Sequence, residues 1–151
     1  MNKMKLNAPE WIKDTNAYNE VQAHPVLTSS WDKMIQIAFT SEITFQKRVR
    51  QIVMWHQEGY NKVYSQNPLP PGSIDPLAGA AWDILEEMTN REVERITKEK
   101  LPKEQKREKI AKLMTMLDKE ITEYGGLIWR ERVYNRIHKN LKKKINHMEV
   151  K

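Results

Sequence analysis

Residues 124–151, "YGGLIWRERVYNRIHKNLKKKINHMEVK", contain the two signals that decide the fold. Gly125 and Gly126 predict the end of one helix, because glycine adopts the left-handed conformation that closes a helix without steric penalty. Beyond them, apolar residues recur at helical spacing, which predicts an amphipathic helix over 127–146. Its apolar side consists of Val133, Tyr134, Ile137, Leu141 and Ile145.

The opposite side of this last helix is basic. Four cations, here called the basic row, fall within about 60° of one another at ~100° per residue: Arg132, Arg136, Lys139 and Lys143. They span about 16 Å along the helix at ~1.5 Å per residue. Trp129 is predicted to lie on the same side, near Arg136, where an exposed indole could stack on a nucleic-acid base.

The positive charge of the chain is concentrated in this helix. The formal net charge is +6; of 26 basic and 20 acidic residues, eight and two lie in 127–151, which leaves 18 of each in 1–126. One interpretation is that the basic row meets an anionic partner, with nucleic-acid phosphates as the first choice. The alternative is a solvated face, or a face paired with acidic residues of the same assembly. Those acids are Asp83, Glu86, Glu87 and Glu94 on one side of a predicted helix over 76–98.

Helical periodicity also accounts for the chain upstream of the last helix. Apolar residues at helical spacing predict a short helix ending at Phe39 and three long ones, over 42–65, 76–98 and 102–124. The proline-rich stretch 66–75, "QNPLPPGSID", separates two of them, and no alternating strand pattern is found. The sequence therefore predicts an all-α protein, a compact bundle of four main helices and one short helix. An irregular N-terminal segment, 1–28, precedes a single helical domain, 29–151.

Several classes of site are not indicated by the sequence. The absence of cysteine excludes disulfides and thiolate metal sites. No apolar run is long enough to span a membrane, and the N-terminus does not resemble a signal peptide. We therefore expect a cytoplasmic protein without a membrane partner. No metal-ligand, catalytic or phosphate-loop motif is found, so no catalytic residue, metal or cofactor is predicted.

One pair of residues offers an enzymatic interpretation, which is the least favoured of the alternatives. Arg132 and His138, separated by five residues near the end of an all-α chain, resemble the arginine–histidine pair of HEPN-type ribonucleases. That resemblance implies metal-independent RNA cleavage across a dimer. On a regular helix the two residues lie ~120° apart, so they would converge only if the helix broke between them.

Three functional hypotheses follow. The first is a non-enzymatic binding or adaptor protein that presents the basic row and Trp129 to nucleic acid or to an acidic protein surface. The second is a protein-only interaction factor, such as an inhibitor or assembly subunit, that docks through exposed tryptophans and long helices; Trp55 and Trp11 are its candidate anchors. The third is the ribonuclease. A homodimer or a place in a larger assembly is compatible with each.

Overall fold

The protein is almost entirely helical. A computed structural model describes residues 12, 14–40, 42–65 and 76–149, with the side chains of 128 and 144–149 excepted. These residues form six α-helices and a π-helical turn, and none of them lies in a strand, which confirms the predicted all-α class. In chain order they are α1 (Asn16–Gln22), α2 (Pro25–Ala38), α3 (Phe45–Tyr64), α4 (Pro76–Thr97), α5 (Lys103–Trp129), the π turn (Arg130–Tyr134) and α6 (Asn135–Glu149).

The chain divides into two compact units, 1–85 and 86–151. The first contains α1, α2, α3 and the beginning of α4, and the second contains the rest of α4, α5, the π turn and α6. The boundary falls inside α4, a helix whose periodicity continues without interruption. For that reason nothing in the sequence marks it within the predicted single domain 29–151.

The N-terminal segment differs from the prediction, because α1 and the start of α2 lie within residues 1–28. The Thr15 hydroxyl caps α1 by accepting a hydrogen bond from the Tyr18 amide at 3.1 Å. At α2, His24 is extended and its Nδ1 accepts from the Val26 amide at 3.3 Å, while Pro25 takes the first helical position. The fixed φ of proline suits that position. The proline begins a helix here, so the expectation of irregular structure is wrong for 16–22 and 25–28; residues 1–11 lie outside the described part.

Close packing in the first unit depends on Gly59 of α3. A Cβ at this position would lie 2.5 Å from the Ser30 Oγ and 2.8 Å from the Leu77 Cδ2. The missing side chain therefore lets α2 and the start of α4 approach the α3 backbone. The predicted apolar stripe of α3 is buried around it at Phe45, Val49, Ile52, Val53 and His56.

In the second unit, α5 has the narrow apolar stripe that the sequence predicts. Ile110, Leu113, Met114, Leu117 and Ile121 are all buried. The helix leaves helical geometry at Gly126, where φ is 83° and ψ is −176°. This break lies in the predicted glycine pair, although helical hydrogen bonding resumes at once.

A π-helical turn follows the break. The amide of Asn135 donates to the carbonyl of Arg130, five residues earlier, and this spacing defines the turn. α6 then continues in regular α geometry from Asn135. The predicted helix over 127–146 is therefore composite, and the added backbone of the π turn changes which sides its first residues face.

The connection between α4 and α5 is held by side chains of α5. Lys106 Nζ donates to the Thr97 carbonyl at 2.6 Å, and Lys109 Nζ donates to the Glu99 carboxylate at 2.8 Å. The Lys109 hydrogen bond, together with the charges of Lys109 and Arg95, lowers the pKa of Glu99 from its ordinary value. Among the described helices, none is long and apolar enough to cross a membrane.

We expect Gly126→Ala to destabilise the protein. An added Cβ would meet no described atom within 4 Å, so the cost comes from the positive φ, a backbone conformation that alanine rarely adopts. Strain of this kind costs roughly 1–3 kcal/mol. Urea denaturation measures the change in the free energy of unfolding. Glu123→Ala, at an exposed position of α5, is the matched control and should change it by less than about 0.5 kcal/mol; equal effects of the two changes would contradict the strained geometry.

The Glu99 carboxylate provides a second test. Because its pKa is lowered in the folded state, its stabilising contribution is present above the unfolded pKa and is lost as the pH falls through the folded pKa. We expect Lys109→Gln to move the pKa of Glu99 back toward its ordinary value, as measured by NMR titration of the side-chain carboxyl group. The Glu58 carboxylate, whose pKa is lowered first by a hydrogen bond from Lys62, is the internal control and should titrate unchanged.

Candidate nucleic-acid interface

The π turn and α6 bury the side that the sequence predicts to be apolar. Val133, Tyr134, Ile137 and Leu141 are between 1% and 9% exposed. The side chain of Ile145 lies outside the described part. With these residues directed inward, the rotation of the segment about its own axis is fixed, and the other side must face the solvent.

All four cations of the basic row are exposed. Arg132, Lys139 and Lys143 make no hydrogen bond or ion pair with any residue that the structure describes. Arg136 differs from them because it has an interaction partner. The row thus keeps at least three positive charges without a partner among the described residues, at positions that extend from the π turn along α6.

The acidic side of α4 was the expected internal partner of the row. In the second unit, Glu86 accepts a hydrogen bond from Asn140 of α6, and Glu87 pairs with Arg91 of its own helix at 3.1 Å. Neither carboxylate pairs with Arg132, Lys139 or Lys143. The internally paired interpretation therefore does not hold for these three cations with Glu86 and Glu87.

Arg130 is the one cation of the π turn that a carboxylate neutralises. Its Nε donates to the Asp118 Oδ1 at 2.9 Å, and a second guanidinium nitrogen lies 3.4 Å from the Oδ2. The hydrogen bond to Asp118 raises the pKa of Arg130. The guanidinium also lies 5.8 Å from the centre of the Tyr134 ring. These contacts attach the π turn to α5 and leave Arg130 outside the basic row.

The predicted position of Trp129 is wrong. Its side chain is 5% exposed and lies against Gly125, where an added Cβ would come within 2.7 Å of the indole. The prediction assumed one regular helix from 127 onward, whereas the Gly126 break and the π turn change the direction of each side chain in this region. Trp129 belongs to the core and offers no stacking surface to a ligand.

The other tryptophans give limited support to the predicted docking surface. Trp31 is buried, Trp55 and Trp82 are partly exposed, and Trp11 lies outside the described residues. Of the two proposed anchors, Trp55 is therefore only partly available. The most exposed of the large apolar side chains in the described part is instead Leu127, which is 72% exposed and directly follows the glycine break.

A groove between α5 and α6 was not predicted from the sequence. It encloses about 420 Å³ and is here called the α5–α6 groove. The described residues of its wall include two basic side chains, a histidine and several apolar side chains, and none of them is a carboxylate. They are Arg107, Ile110, Ala111, Met114, Thr115, Tyr134, His138, Leu141 and Lys142. The one related feature of the sequence is the small residue Ala111 on the exposed side of α5. A small residue alone does not predict a groove, because the position of the facing helix must also be known.

The two residues of the ribonuclease-like pair form no hydrogen bond or ring contact with each other in the described part of the chain. Arg132 lies in the π turn and His138 in α6, and the chain is helical throughout the interval between them. The imidazole of His138 is exposed and stacks on Tyr134, with ring centres 5.7 Å apart and planes inclined by 19°.

No candidate metal centre occurs in the described part of the chain, where no three histidine, aspartate or glutamate side chains are grouped closely enough to hold an ion. Comparison of the chain with known protein families, curated proteins and solved structures finds no match. The surface of the protein is therefore the basis for a functional proposal. Two of its features are the exposed basic row and, beside it, a groove lined by no carboxylate among the described residues.

The structure predicts different roles for Trp129 and for the row. We expect Trp129→Ala to lower the free energy of unfolding by about 3–5 kcal/mol, because it removes a large buried ring. Lys139→Gln, at an exposed position without a described partner, should change it by less than about 0.5 kcal/mol. Urea denaturation of the two variants measures both values. A small effect of Trp129→Ala would mean that the indole is exposed, as the sequence alone suggested.

Proposed function

We propose that the protein binds nucleic acid through the basic row. The observation that carries the proposal is that Arg132, Lys139 and Lys143 are exposed without a described carboxylate partner. Like charges at i,i+4 spacing repel, so the row carries a small cost that an anionic partner would remove. Phosphates are suitable partners because their neutralisation also releases condensed counterions.

The shape of the surface supports a linear anion. Arg136, Lys139 and Lys143 follow one side of α6 over about 11 Å at ~1.5 Å per residue, and the exposed Arg132 precedes them in the π turn, so the row presents a line of charge. A phosphate backbone is a line of negative charge and can meet several members at once. No residue is assigned a catalytic role, and binding of this kind fits an adaptor that requires no cofactor.

A protein-only interaction factor is the second hypothesis and has weaker support. Its proposed anchors are tryptophans, and the described ones are buried or only partly exposed. An acidic protein surface could meet the same basic row, but a folded surface interrupts its carboxylates with other residues. The two partners differ in how binding depends on salt and on partner chemistry.

The test is the affinity for a short fluorescein-labelled DNA strand, measured by fluorescence anisotropy over a salt series. Four phosphates neutralised on a single strand give a slope of about −2.8 in log K against log salt, at ~−0.7 per phosphate. We expect a variant with all four row cations changed to glutamine to lose most of this slope and to bind weakly at every salt concentration.

A second quadruple variant controls for total charge. It changes four exposed lysines outside the row that have no partner among the described residues, so its net charge equals that of the first variant: Lys47→Gln, Lys98→Gln, Lys100→Gln and Lys119→Gln. We expect it to keep most of the affinity and slope. If both variants lose affinity equally, binding is a property of net charge and the assignment to the row is wrong. If the unmodified protein does not bind DNA or RNA at low salt, the proposed function itself is wrong.

A further inference from the structure

We infer that the α5–α6 groove receives an unpaired base of a single strand whose phosphates lie on the basic row. This inference rests on the proposed function and goes further, because it names the form of nucleic acid that the surface would select. Three observations carry it: the chemistry of the groove wall, the position of the groove beside the row, and the ring pair at its edge.

The wall of the groove fits an uncharged ring attached to an anion. Ile110, Met114 and Leu141 are nearly fully buried and form its apolar part. Arg107 and Lys142 are exposed side chains on the same wall. Among the described residues that line the groove there is no carboxylate, so its charged side chains are basic. The volume, about 420 Å³, lies within the range of small-ligand sites.

The groove and the basic row are parts of one surface. Lys142 lines the groove and directly precedes Lys143 of the row. On α6, Lys142 also lies three residues after Lys139, which separates the two by ~60° around the helix. Positive charge therefore continues from the groove wall to the row, and a strand on the row passes close to the groove.

A pair of aromatic rings lies at the edge of the groove. Tyr134 is buried, and His138 is exposed and stacked on it. An exposed ring backed by a second ring is a platform on which a base can stack, and stacking of this kind tolerates any base. A base inside a duplex is stacked between the neighbouring base pairs and would have to leave that stack to reach the His138 ring. The surface therefore favours strands that are already single.

The experiment compares three labelled DNA probes with the same number of phosphates on each strand, using fluorescence anisotropy at one salt concentration. They are a single strand, the same strand with abasic sites throughout, and the duplex. We expect the single strand to bind about tenfold more tightly than the abasic strand, which corresponds to the lower part of the range for stacking one base. Competition with adenosine monophosphate shows whether a free nucleotide occupies the groove equally well.

Ala111→Gln tests the groove without a change of charge. Ala111 is exposed on the groove wall, and glutamine is a good helix former whose side chain would fill part of the space. We expect the variant to bind the single strand only as tightly as the abasic strand, with its affinity for the abasic strand unchanged. Ala23→Gln, an exposed position in the first unit, is the matched control and should bind all probes like the unmodified protein.

The outcomes separate the inference from the proposed function. Equal affinity for the single and abasic strands, or an unchanged preference in Ala111→Gln, would overturn the groove as a base site and leave binding by the row intact. Strong competition by adenosine monophosphate, with no advantage for a strand, would overturn the strand as the occupant. Failure of all three probes to bind would overturn the proposed function and the inference together.

Discussion

Burial of one side of the π turn and α6 is the constraint on which the candidate interface depends. Folding buries four residues on this side: Val133, Tyr134, Ile137 and Leu141. The hydrophobic effect favours their burial by about 25 cal/mol per Å² of apolar surface. Because these residues share one side, their burial leaves no freedom to rotate the segment. The exposure of the cations on the other side is then a consequence of this burial.

The sequence predicts this arrangement well where the backbone is regular. The stripes of α3 and α5 and the apolar side of α6 follow from helical periodicity, which depends only on residue spacing. The predicted exposure of Arg132, Arg136, Lys139 and Lys143 follows from the same spacing. Arg136, Lys139 and Lys143 lie in the regular helix α6, where a fixed angle per residue applies. Arg132 lies in the π turn, where that angle does not apply, and it is exposed all the same.

The prediction fails where the backbone departs from that angle, and where a feature depends on how two helices pack against each other. Trp129 lies between the Gly126 break and the π turn, and the sequence marks the first of these but not the second. A π turn depends on how the segment packs, and no residue type indicates it. The groove beside α6 has walls on two helices, so its existence depends on their packing. The helical start at Pro25 was missed because a proline is compatible with both an extended segment and the first turn of a helix.

Tyr134 contacts three different parts of the second unit. Its ring lies 5.8 Å from the Arg130 guanidinium and 5.7 Å from the His138 ring, and it also lines the groove; burial is the main cause that raises its pKa. A substitution of Tyr134 would therefore disturb the Arg130 contact, the His138 stack and the groove together. Such pleiotropy restricts which residues this position can accept as the sequence diverges. Sequences descended from this one can adjust the groove more freely at Ala111 and Thr115, which project from the outer side of α5. Diversification of binding preference should therefore begin on that helix, with the tyrosine retained.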